Sequence, residues 1–237
     1  SMAFDPASAN GMYITISDAM GGIGDVYHCN DIINTPGSWT RLTSPPRTQN
    51  RAQKIVVLSN GDLVCVYGAR DITTTTTPSF SYSNSSGVFY SVDGGTTWID
   101  HTPVAIQKEV TDVVIDPNDP TQNTWLVFAG GKSVSPGIYR TTDRGVNWMS
   151  VYNQASISGT FHPALPGEMY VCTEYQGLQY VQNANTNAFV ATTVSAYPFR
   201  RPQRVLFNPY DVNEIWIASF GNGFRVGRTN LLNPCVS

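Results

Sequence analysis

Carboxylates outnumber the other charged and metal-ligating side chains in this sequence, with 17 Asp and Glu against 14 Lys and Arg, 3 His and 4 Cys. Two carboxyls held about 5 to 9.5 Å apart, one protonated and one ionised, are the minimal equipment for cleaving a glycosidic acetal. Histidine and cysteine offer less. His28, His101 and His162 fall in different parts of the chain without metal-ligand spacing, so they read as solvated or hydrogen-bonded side chains. Cys29, Cys65, Cys172 and Cys235 are isolated, with no Cys-x-x-Cys pair and no neighbouring His pair, which argues against zinc. Cys65 and Cys172 lie inside apolar runs, where a small buried thiol is a simpler reading than a disulfide, although the pairing state of the four stays open. No cofactor and no bound metal are expected.

Which carboxylates can meet depends on the elements that carry them. A phrase made of an apolar run, a small polar residue or Asp, and then Pro or a turn recurs at Asp5-Pro6, Ser59-Asn60-Gly61, Asp116-Pro117, His162-Pro163 and Asn208-Pro209, roughly 46 to 57 residues apart. A second apolar run follows each time, beginning at Met12, Leu63, Trp125, Met169 and Ile215. A third follows a Gly-containing loop, near Asp25, Gly87, Gly137, Gly177 and Gly223, and a fourth begins at Trp39, Trp98, Trp148 or Phe189. Four short β-branched and aromatic strands per repeat predict an all-β protein of four-stranded antiparallel propeller blades. Five units begin near residues 3, 54, 110, 158 and 203, within a single domain or fragment spanning 1–237. The fifth lacks a convincing fourth strand because Leu231-Leu232-Asn233-Pro234 is short and broken by proline. An arc of a larger, seven-bladed propeller is the preferred reading, and an imperfectly closed five-bladed ring the alternative.

The third-to-fourth turn carries the sharpest motif. Ser91-Val-Asp93-Gly94-Gly95-Thr96-Thr97-Trp98 and Thr141-Thr142-Asp143-Arg144-Gly145-Val146-Asn147-Trp148 match the Asp-box pattern. In such a turn the Asp accepts main-chain amides, Gly permits positive φ and the Trp ring packs beneath. Cys29-Asn30-Asp31 to Trp39 reads as a lengthened copy, and Asn183 to Phe189 as a decayed one. Because antiparallel strands reverse at each turn, these boxes share a face with the Asp-Pro turns, and their carboxylates are best read as structural. The same sorting places Asp5, Asp31, Asp62, Asp93, Asp116, Asp119, Asp143, Glu168, Asp211 and Glu214 on the structural side. It leaves Asp18, Asp25, Asp71, Asp100, Glu109, Asp112 and Glu174 for the other face, where any acid and base pair would lie.

That second face also carries the long connection from Arg70 to Gly87, in which Phe80 and Tyr82 could stack on sugar rings or merely anchor a Thr/Ser-rich loop. Asn84-Ser85-Ser86 within it is a glycosylation sequon. Arg200, Arg201 and Arg204 could grip a carboxylate, but three arginines in one connection do not converge from separate blades, and solvation at a strand end is expected.

Composition removes whole classes of function. Charged residues make up only 13% and the net charge is −3, so there is no basic footprint for nucleic acid or anionic lipid. No apolar run approaches a membrane span, and no stretch reads as a charged-then-apolar leader ending in a small-residue cleavage site. Ser1-Met2 reads as an expression scar, so a removed leader stays open.

The two boxes, the Asp116-Pro117-Asn118-Asp119-Pro120 turn, and the segment from Arg204-Val-Leu-Phe-Asn208-Pro209 through Ile215-Trp-Ile-Ala-Ser-Phe-Gly-Asn-Gly223 resemble the Asp-box propellers, and among them most resemble glycoside hydrolase family 74. The resemblance implies two seven-bladed propellers with one catalytic Asp each, facing a shared cleft. Asp112, just ahead of the Asp116-Pro117 phrase, is the nearest positional match, and the chain is too short for both propellers. Asp112, on that match, and Glu174, from the carboxylates sorted to the second face, are the catalytic candidates. The expected function is part of a secreted or extracellular hydrolase acting on β-glucan or xyloglucan-type polysaccharide. The alternative is a noncatalytic carbohydrate- or protein-binding propeller. Expected partners are a polysaccharide or oligosaccharide, with another propeller domain or a second copy of the chain as a further possibility, and neither nucleic acid nor membrane.

Overall fold

A computed structural model describes residues 1–18, 22–72 and 81–229. Strands dominate, because short runs of β-branched and aromatic residues alternate with Gly, Asn and Asp turns. The only helical element among the described residues is a 3-10 turn at Val104–Ile106. The chain divides into two compact units, one formed by Ser1–Thr111 with Lys132–Val134, the other by Asp112–Gly131 with the described residues from Ser135 on.

The first unit holds two four-stranded antiparallel sheets, each in simple sequence order. The first contains β1 (Met2–Phe4), β2 (Met12–Thr15), β3 (Val26–Cys29) and β4 (Thr40–Arg41), and the second β5 (Ala52–Val57), β6 (Leu63–Tyr67), β7 (Gly87–Ser91) and β8 (Ile99–Asp100). Their facing sides bury Tyr13, Val26, Ile55, Leu63, Cys65, Tyr67 and Phe89 in one core. β6 reads Leu-Val-Cys-Val-Tyr and is buried throughout, as a strand covered on both faces must be.

The second unit holds β9 (Val110–Ile115) from Asp112 on, β10 (Trp125–Ala129), β11 (Gly137–Thr141) and β12 (Met149–Tyr152) in one sheet, and β13 (Ser156–Phe161), β14 (Met169–Thr173), β15 (Leu178–Gln182) and β16 (Val190–Thr193) in the next. A last sheet has three strands among the described residues, β17 (Pro202–Asn208), β18 (Asp211–Ser219) and β19 (Gly223–Arg228). Leu231 to Pro234, where the sequence reading found no convincing fourth strand for this blade, lie outside the described residues. Period-two alternation splits β14 between two cores. Met169 and Val171 pack with Leu126, Phe128 and Ile138, whereas Tyr170 and Cys172 pack with Val205, Ile215 and Ile217. Gly159 lets β13 approach closely, because a Cβ there would stand 2.3 Å from Phe128 Cζ and 2.4 Å from Met169 Cε.

Two repeated details bind the blades internally. Register shifts recur at the start of three innermost strands, between Ala52 and Lys54, Ser156 and Ser158, and Pro202 and Arg204. The first-to-second and third-to-fourth turns of a blade are tied together, as the sorting by face requires. Ile32 N donates to Asn10 O at 3.0 Å, Arg144 N to Asn123 O at 3.0 Å, and Ala184 N to Gly167 O at 2.8 Å.

Candidate functional site

The turns at Ser91–Trp98 and Thr141–Trp148 have the same hydrogen-bond plan. Ser91 Oγ donates to Asp93 Oδ1 at 2.8 Å and accepts from Gly95 N at 2.9 Å; Thr141 Oγ1 does the same with Asp143 at 2.7 Å and Gly145 N at 2.9 Å. Each Oδ1 also takes a main-chain amide at 2.8 Å, from Thr97 in one turn and Asn147 in the other, whose side chains donate to Oδ2. Hydrogen bonds from the Thr97 side chain and amide hold the Asp93 carboxyl down at about 2, and those from Thr141 and Asn147 lower that of Asp143. Gly95 and Gly145 have φ of 85° and 89°, which explains the glycine. These carboxylates are consumed by their own turns. The tryptophans differ from expectation in one respect, since Trp98 and Trp148 are half-buried rather than buried. Trp98 Nε1 reaches out to donate to Thr43 O at 2.8 Å, so one edge of the ring stays at the surface.

The seven carboxylates of the opposite face meet different fates. Asp25 is buried and accepts from the hydroxyls of Tyr67 and Ser44 and from Arg41, 3.0 Å away. Asp100 is held by Arg47 at 2.6 Å, and Asp18 Oδ2 accepts the Ile23 amide at 3.3 Å. Asp112 has no exposed surface. Its Oδ1 accepts Val113 N at 2.9 Å, and its Oδ2 is 2.7 Å from Arg204 Nη1. Arg204, expected to be solvated at a strand end, is thus the counter-ion of the main catalytic candidate. Glu174 is nearly buried at 9% exposure, and its Oε1 accepts Gly131 N at 3.1 Å. No hydrogen bond joins Asp112 and Glu174 among the described residues.

Asp71 and Glu109 share a cleft. It lies within the first unit, encloses about 220 Å³, and is lined by Arg51, Gln53, Asp71, Tyr82, Lys108, Glu109 and Lys132 together with Gly68, Ala69, Val110 and Thr111. The base of the long connection positions one wall. Asp71 and Tyr82 form an antiparallel bridge, flanked by Ile72 N to Ser81 O at 2.8 Å and Ser83 N to Arg70 O at 3.0 Å. Residues directly opposite in such a pair present side chains on one face. Lys132 builds the other wall. Its Nζ lies 2.9 Å from Glu109 Oε1 and 4.4 Å from the Tyr82 ring centroid, and its amide donates to Glu109 Oε2 at 2.8 Å. Arg51 Nη1 donates to Ala69 O at 2.8 Å, while its Nε is buried without a partner. At Gly68 an added Cβ would lie 2.4 Å from Gln53 Nε2, so a side chain there would push the Gln53 amide aside.

Sorting by face picked out Asp71, Glu109 and Tyr82 but was applied to acids and aromatics alone. Extended to cations, it would have picked out Arg51, Lys108 and Lys132, which arrive from three separate connections. Phe80 lies outside the described residues. The histidines serve packing and turns. His28 stacks on Tyr13 with centroids 4.2 Å apart and bonds Asp5 at 2.9 Å, His101 stacks on Tyr90, and His162 Nδ1 accepts the Ala164 amide. Burial holds His162 below the usual imidazole range. No group of three or more potential metal ligands occurs among the described residues. Cys29, Cys65 and Cys172 are buried free thiols, and Cys235 lies outside the described residues.

No protein-family model and no curated protein matches the chain. Solved structures do. The GH74 xyloglucanase from Xanthomonas campestris superposes with a TM-score of 0.67 at 16% identity, over 100% of this chain and 37% of that one. An ancestral GH74 enzyme gives 0.69 at 14% identity, over 100% and 30%. The extracellular domain of a hybrid two-component system from B. thetaiotaomicron gives 0.65 at 11%, over 95% and 26%. At these identities the likeness defines the fold alone, a β-propeller, and the chain spans well under half the length of each of these proteins. No helix among the described residues is long and apolar enough to cross a membrane.

Proposed function

We propose that this chain is a polysaccharide-binding β-propeller module of an extracellular, glycan-processing protein, with the cleft beside Tyr82 as its binding site. The cleft's composition carries this reading. One aromatic ring, one amide and five charged side chains in an open groove suit a ligand with many hydroxyls and a few C–H faces. A volume of about 220 Å³ is below the roughly 300–1,000 Å³ of small-molecule pockets, so the groove would take part of a longer chain. The two equivalent Asp-bearing turns and the GH74 neighbours support placing the chain with the Asp-box propellers, as a single domain or an arc of one.

Hydrolysis by Asp112 and Glu174 is the competing reading. A general acid must reach the glycosidic oxygen, and Asp112 is wholly buried against Arg204, which favours binding over catalysis at that position. Affinity electrophoresis through gels containing xyloglucan, mixed-linkage β-glucan or acidic plant and algal polysaccharides, run beside assays of reducing-end release, tests the proposal. Retardation by at least one polymer, relieved in Tyr82→Ala and without release of reducing ends, is the expected result. Absence of retardation in every gel would refute binding. Reducing-end release abolished in Asp112→Asn or Glu174→Gln would establish the hydrolase instead.

A further inference from the structure

We infer that the glycan recognised by this cleft is a carboxylated one, a polyuronate, held by Arg51 and Lys108; this deepens the binding reading above and rests on it. The sequence as a whole carries a net charge of −3, yet the cleft gathers three cations against two carboxylates. The charges are unevenly engaged. Glu109 is committed to Lys132 through both its Nζ and its amide, and the same ammonium lies over the Tyr82 ring. Lys108 makes no hydrogen bond or ion pair among the described residues, although it lines the groove between η1 (Val104–Ile106) and β9. Arg51 is fixed by one bond from Nη1 to the Ala69 carbonyl and has no carboxylate partner among the described residues, and its Nε is buried and unpaired.

Arg51 Nη2 makes no hydrogen bond among the described residues and is not one of the buried unpaired atoms, so it is the guanidinium donor left to an anionic oxygen in the groove. A guanidinium and an ammonium lining one groove can recognise a planar carboxylate by charge-assisted hydrogen bonds. The remaining lining fits the rest of a uronate ring. Asp71 and Gln53 supply acceptors and donors for hydroxyls, and Tyr82 supplies a flat face partly occupied by Lys132. A neutral glucan would leave both cations unanswered.

Isothermal titration with oligogalacturonate, a cello-oligosaccharide of equal length and sulfated dextran decides the matter on the whole chain. Uronate should bind tighter than the neutral oligomer, and its affinity should fall as salt is raised. Lys108→Gln should weaken uronate binding by about tenfold, the loss of one charge-assisted bond. Arg228→Gln, outside the cleft, should leave it unchanged; Arg51→Gln should act as Lys108→Gln does, and its melting curve will show whether it remains folded. Equal binding of the neutral oligomer, or salt-independent uronate binding, would overturn the uronate assignment and leave the binding module standing. Binding of sulfated dextran without uronate would overturn carboxylate recognition. Binding of none of the three, with none of the gel polymers, would remove both readings.

Discussion

Arg204 Nη1 stands 2.7 Å from Asp112 Oδ2 across 92 residues of sequence, with the carboxylate fully buried and the arginine side chain 40% exposed. A buried carboxylate so paired is fixed in one geometry, and removing either member has different consequences.

Arg204→Met should destabilise the chain by about 3 kcal/mol, the low end of the range for breaking a buried pair because the arginine is partly solvated. Asp112→Asn should cost less, since the amide still accepts from Val113 N and leaves no buried charge. Urea denaturation of both variants and the double variant tests this. Equal costs for the two single variants would mean that the pair is not what holds Asp112 in place.

Tryptophan truncations should follow burial. Trp125 is fully buried, so Trp125→Ala should cost about 3 to 5 kcal/mol, whereas the half-buried Trp98 and Trp148 should each cost distinctly less. The reverse order in chemical denaturation would show that the turn tryptophans carry more of the core than their exposure implies.

Asp93 sets an acid dependence with a definite sign. Its carboxyl titrates near 2 in the folded chain, below the ordinary value of 3.8, so its stabilising contribution is complete above about pH 5 and disappears as pH falls through about 2. The Tm difference between wild type and Asp93→Ala should therefore be constant from pH 7 to about pH 5 and shrink toward pH 2. A difference that grows on acidification contradicts the turn's hydrogen bonding.

Thiol chemistry should be silent in the native state. Cys29, Cys65 and Cys172 are buried, and burial pushes the Cys172 thiol up to about 12. Peptide mapping after iodoacetamide treatment at pH 8 should find these three unmodified until denaturant is added. Rapid native labelling of Cys172 would indicate that β14 opens readily.

Much of the fold was legible because the signals are local. Leu63 to Tyr67 and Met169 to Thr173 are unbroken apolar runs between turns, and Asp93 and Asp143 sit at fixed offsets from Gly and Trp, so strand identity and turn chemistry follow from a few consecutive residues. The pairing of Arg204 with Asp112 was not legible, because it depends on how separate strands stack rather than on spacing along any one of them. Similarly, the cleft draws Arg51, Asp71, Lys108 and Lys132 from four segments, each unremarkable alone. Trp98 matched its motif, but motif position says nothing about Thr43 O, whose hydrogen bond keeps the indole edge near the surface.

The Ser91–Trp98 and Thr141–Trp148 turns satisfy their polar groups within spans of two to four residues. Closing so short a loop loses little chain entropy, and hairpins of this kind form in about 1 to 10 μs, well ahead of contacts between distant strands. The outer hairpins β7–β8 and β11–β12 are therefore expected to act as early, independent nuclei on which the inner strands later assemble. A chevron for Asp143→Ala should then show its effect in the folding limb, with the unfolding limb little changed; a change confined to unfolding would place these turns late.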